Sequence, residues 1–120
     1  MLSAKEIYNA AVHNLQLVHW VRVGESEWAF VGESKHFKPD VLLSSLQNEV
    51  SPGAMYIVVN RHESFSCSAQ EAVLLTRERL SSGDVVMCDL KFCRFLQVAR
   101  NGVFRYGALP ANHSLQARRP

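Results

Sequence analysis

The sequence predicts a single α+β domain, built on a mixed, mostly antiparallel sheet of about six strands with three helices, in the order α-β-β-α-β-α-β-β-β. Three observations carry this expectation. Two segments open with a Ser-x-x-Glu capping box, Ser3 to Glu6 and Ser68 to Glu71, in which the serine oxygen and the glutamate carboxylate satisfy each other's main-chain amides at a helix start. The stretch from Ala54 to Leu90 places the apolar run AMYIVV, the capped helix and a second apolar run DVVMCDL in succession. That order predicts one parallel β-α-β crossover. Finally, Arg100-Asn101-Gly102 separates KFCRFLQVA from VFRYG, and Asn-Gly is the preferred two-residue hairpin turn because both central positions need positive φ.

Taken in order, the first helix starts at Ala4, with Ile7, Ala11 and Leu15 as one apolar stripe at helical spacing. LVHWVRV and EWAFV, separated by Gly24 and a polar turn, predict a hairpin of two short strands. Val41, Leu42, Leu46 and Val50 after Pro39 predict a second helix that stops before Ser51-Pro52-Gly53. The third helix carries Ala72, Val73, Leu75 and Leu80 inward and has Arg77 and Arg79 in its last turns, where cations complement the helix dipole. The last hairpin is expected to pair Gln97 with Tyr106 on one face and Val98 with Arg105 on the other. Residues 1–108 are expected to form the domain and 109–120 an irregular tail. Three helices are too few to cover both faces of such a sheet, which leaves part of it open to a partner.

At 120 residues and 48% hydrophobic, the chain has enough apolar material for one core. The formal net charge is only +2, and residues 1–60 sum to −2, so the composition argues against a partner held by long-range field alone, such as nucleic acid or a membrane surface. Three cysteines without a Cys-x-x-Cys pair, no basic-apolar leader and no apolar run near the membrane-spanning length point to a cytoplasmic location.

Four groups of residues are candidates for chemistry. His62, Cys67, Cys88 and Cys93 fall close together in sequence and are the only basis for a small Cys/His enzyme or a zinc site. Their placement next to a helix cap and inside an apolar strand instead fits structural cysteines, so no catalytic residue, metal or cofactor is expected. His62-Glu63-Ser64 at a strand end lacks the glycines of a phosphate loop. Arg94, Arg100 and Arg105 are expected on one hairpin face with Leu96, Val98 and Val103, which is the basis for a nucleic-acid-binding module. Glu25, Glu27, Trp28 and Phe30 surround the first predicted hairpin and combine aromatic rings with charge, as protein interfaces do. The expectation is therefore a non-catalytic macromolecule-binding protein. Its most concrete form is a small bacterial immunity or inhibitor protein that binds and blocks a protein toxin or effector.

Overall fold

A computed structural model of the chain describes residues 2–21, 29–30, 38–100 and 102–110. Helix α1 runs Ala4–Leu15, α2 Pro39–Glu49 and α3 Ala69–Arg79, followed by a single 3₁₀ turn at Leu80–Ser82. Both capping boxes are formed: Ser3 Oγ accepts from the Glu6 amide at 3.2 Å while Glu6 Oε1 accepts from the Ser3 amide at 2.9 Å, and Ser68 and Glu71 repeat the exchange at 3.2 and 3.0 Å. The strands are β1 His19–Val21, β2 Ala29–Phe30, β3 Met55–Val58, β4 Ser64–Cys67, β5 Val85–Cys88, β6 Arg94–Val98 and β7 Val103–Ala108. They form one sheet in the order β1-β7-β6-β5-β3-β4, with β2 also on β7.

The α+β architecture is as the sequence predicts, and the connections differ in three places. Every ladder among the described residues is antiparallel. The chain turns back after β3 through a tight loop at Asn60–Glu63 and adds β4, so α3 leaves from β4 rather than from β3. Strands β4 and β5 therefore run in the same direction with β3 between them, each antiparallel to it. The crossover is a split one and its strands are not neighbours.

Strands β1 and β2 do not form a hairpin with each other. Both pair antiparallel with β7, β1 against Tyr106–Ala108 and β2 against Val103–Phe104. They lie end to end along one strand, because β7, at six residues, is long enough to accept both.

The β6–β7 hairpin is real but shifted by one residue from the two-residue register. Gln97 faces Arg105, Val98 faces Phe104 and Leu96 faces Tyr106. Ala99 accepts from the Gly102 amide at 2.8 Å and donates to Val103 at 2.7 Å, so the loop is 100–102, three residues long. Gly102 has φ of 88°, the positive-φ position that ends a three-residue hairpin loop.

This shift exchanges the faces of side chains. One face packs Met55, Ile57, Val85, Met87, Leu96, Val98 and Phe104 against α2 and α3. There the buried Thr76 of α3 donates its hydroxyl to Met87 Sδ at 3.6 Å. The other face packs Val58, Val86, Cys88 and Phe95 against Ile7 and Ala11 of α1, with Tyr56, Trp20 and Phe92 at its margin. Leu109, assigned by the sequence to the tail, still donates to Cys93 O at 2.8 Å and packs on this second cluster. Among the described residues, no helix is long and apolar enough to cross a membrane.

Candidate functional site

The predicted arginine face does not exist. Arg94 pairs with Ala108 on the α2/α3 side of the sheet, whereas Arg105 faces Gln97 on the opposite side. Arg105 donates through Nε and Nη2 to Gln97 Oε1 at 3.2 and 3.0 Å, and its guanidinium carbon lies 3.9 Å from the Trp20 ring centroid. It is committed to a stack over the sheet. Arg100 is exposed in the hairpin loop, its amide donating to Asp84 Oδ1 at 3.3 Å. Glu25, Glu27 and Trp28 lie outside the described residues, and of Phe30 only the main chain is described, paired with Val103.

The Cys/His set is likewise dispersed. Cys67 and Cys88 are buried on opposite faces of the sheet. Burial pushes the Cys67 thiol up to about 11 and raises that of Cys88 further, which holds both in the protonated, weakly nucleophilic form. Cys93 donates to Lys91 O at 3.3 Å. His62 is exposed in the β3–β4 turn, where its amide and that of Glu63 donate to Asn60 Oδ1 at 2.8 and 2.9 Å. Glu63 in turn accepts a bidentate pair from Arg79 at 2.8 Å for each bond, which holds its carboxyl below the ordinary value. These contacts build a turn. Among the described residues, no three His, Cys, Asp or Glu side chains are grouped to hold a metal ion.

What the fold does assemble is a groove across one end of the sheet, where β3 begins and β5 ends. Its first part, a cavity of about 330 Å³, is lined by Leu2, Ile7, Tyr56, Phe65, Ser66 and Leu90. Its second part, about 480 Å³, is lined by Ser51, Pro52, Asp89, Lys91 and Arg94. Ala54 and Leu90 line both, so the two are adjacent. The first part is apolar and holds three large side chains that remain exposed: Leu2 at 39%, Phe65 at 42% and Leu90 at 48%. In the second, Lys91 and Arg94 are exposed, and neither side chain makes an ion pair or hydrogen bond among the described residues.

The loop from Asp89 to Cys93 shapes this groove. Asp89 Oδ1 accepts from the amides of Cys93 and Arg94 at 2.8 and 3.1 Å, and its own amide donates to Arg94 O at 3.1 Å. Phe92 is held at φ of 56°, a left-handed conformation that is rare for a bulky residue and costs about 1–3 kcal/mol. Three contacts hold it there: its amide donates to Asp89 O at 3.1 Å, its carbonyl accepts from Asn14 Nδ2 at 3.0 Å, and its ring stacks on Tyr56 with centroids 5.0 Å apart. With Phe92 turned inward, Leu90 and Lys91 are displayed at the loop tip. Sequence reading missed Leu90 because it extends the apolar run DVVMCDL and so reads as strand. The available signal was Asp89, a polar residue suited to organising a turn.

No protein-family model, curated protein or solved structure matches the chain.

Proposed function

We infer that the chain acts by binding another protein, with the groove across the sheet end holding an extended segment of the partner. The observation that supports this reading is the junction of an apolar trough with two cations that lack ion-pair partners among the described residues. An apolar side chain of the partner would seat against Tyr56 and Leu90, and an acidic one would meet Lys91 and Arg94. Buried apolar anchors supply most of the energy of such contacts and rim charges mainly set the rate and orientation of approach. A toxin or effector blocked by a small immunity-type protein remains the partner class that the size and compactness of the chain favour. Binding of nucleic acid through Arg94, Arg100 and Arg105 loses its support, because the hairpin divides Arg94 and Arg105 between the two faces.

The test is selection of displayed random peptides on the immobilised chain. Enriched sequences are expected to carry an apolar residue followed by an acidic one. Leu90→Asp should abolish their binding, at about 2 kcal/mol or more, and Lys91→Glu with Arg94→Glu should reverse the preference for acidic residues. Enrichment that is indifferent to these changes, or salt-sensitive binding to generic RNA or DNA at physiological ionic strength, would overturn the reading.

A further inference from the structure

Arg94, which lines the cationic part of the groove, also lines a further hollow of about 180 Å³ together with Val21, Glu49, Tyr106, Gly107 and Ala108. This hollow lies on the α2 side of the sheet, because α2 supplies Glu49 and Tyr106 packs on the cluster beneath α2 and α3. Three features give it a chemical preference. Val21 is 44% exposed and stands directly across from the half-buried Tyr106, so the two offer an apolar surface on one face. Glu49 is the last residue of α2, and no basic residue lies in the last turn of that helix. Its carboxylate therefore adds to the negative end of the helix dipole, and nothing in that turn offsets it. Finally, Glu49 and Arg94 line the same hollow, yet among the described residues no ion pair or hydrogen bond joins their side chains.

The register of the sheet sets the spacing. Arg94 stands across from Ala108, and Tyr106, two residues back along β7, stands across from Val21. Two strand spacings and two residues of rise separate the main chains of Arg94 and Val21, about 12 Å in all. An extended segment covers that distance in about three to four residues.

We propose, resting on the groove as the peptide site, that the partner segment carries a lysine or arginine three or four positions beyond its acidic residue, on the side away from its apolar one. The acidic side chain meets Lys91 and Arg94. The basic one enters the hollow beyond Arg94, its charged end at Glu49 and its aliphatic stem against Val21 and Tyr106. Opposite charges on the segment then match opposite charges on the chain in order, which fixes the direction in which the segment lies.

Selection of displayed random peptides on the immobilised full chain, run in parallel on Glu49→Lys and Leu90→Asp, tests this. The unsubstituted chain is expected to select a lysine or arginine three or four positions from the acidic residue. On Glu49→Lys that position should become acidic, with the apolar and first acidic preferences kept. Glu49 is half-exposed at a helix end, where a lysine suits the dipole, so circular dichroism should be unchanged. Replacing the basic residue of a selected peptide by glutamine should weaken binding about threefold to fivefold in fluorescence anisotropy, as for a part-exposed ion pair, and should make no difference on Glu49→Gln. Selected peptides with the apolar and acidic residues but no basic one, or a basic residue whose loss weakens binding equally on Glu49→Gln, would overturn the proposal and leave the groove reading standing. Enrichment indifferent to Leu90→Asp would overturn both.

Discussion

The two sides of the sheet are finished in opposite ways. On the β7 side, the chain lays β1 and β2 end to end along one strand, and the close approach this needs is made possible by Gly107. A β-carbon there would fall 2.3 Å from His19 O and 2.8 Å from a methyl of Val18. On the β4 side, the sheet ends in a four-residue strand with a half-exposed phenylalanine. On the first side the sheet leaves no room for an added atom at Gly107, whereas β4, outermost on the other side, rests on β3 and is packed by α1. The tight packing at Gly107 is expected to make the first side the more sensitive of the two to substitution.

Gly107→Ala is the sharpest way to break this contrast. The added methyl group must displace the β1 main chain, and a loss of about 3 kcal/mol, at the upper end for overpacking, is expected in chemical denaturation. An unchanged midpoint would mean that β1 contributes little to the fold. Next in size is Gly102→Val, which forces a β-branched side chain to φ of 88° and should cost about 1–3 kcal/mol by the same measurement. Trp20→Leu removes the ring under Arg105 while keeping an apolar side chain, and about 1 kcal/mol is expected, read as a lower melting temperature.

Acid behaviour probes the β4 side. The Glu63 carboxyl is lowered from its ordinary 4.5 by the Arg79 hydrogen bonds, so the stability it contributes is present above that value and is lost as pH falls below it. Melting temperature should therefore decline between neutral pH and pH 3, and Glu63→Gln should make the decline shallower. Part of it should remain, because Glu6 and Glu71 are lowered in the same direction by their capping serines. The smallest effect is expected at Ser66→Ala, in the middle of β4 on an exposed side chain, with a change within about 0.5 kcal/mol. A large loss there would show that the bare edge is a structural element after all.

The legibility of these regions from sequence differs for a physical reason. Ser3 and Ser68 announce their helices because a capping box is satisfied within four residues of chain, so no distant group is needed to decide it. The same holds for β5, whose Val85, Val86, Met87 and Cys88 are all buried and whose apolar run marks a strand covered on both faces. Strand β4 was invisible for the opposite reason: Ser64-Phe65-Ser66 follows a turn and carries little apolar signal, as suits an edge with one neighbour. The groove was missed because its parts come from the N-terminal end of α1, the start of β3, β4 and the β5–β6 loop, and no sequence spacing relates them.

The sequence by itself determined the helix starts, the buried runs, the α+β class and the presence of a turn at Arg100–Gly102, all of which depend on interactions between residues near each other in the chain. Tertiary structure alone decided which strands became neighbours, that β1 and β2 share β7, and that the last hairpin has a three-residue loop. That last choice moved Arg105 away from Arg94 to the far side of the sheet. Side chains alternate along a strand with a period of two, so a register set by contacts across the whole sheet, when it differs by one residue from the local expectation, carries every partner to the opposite face.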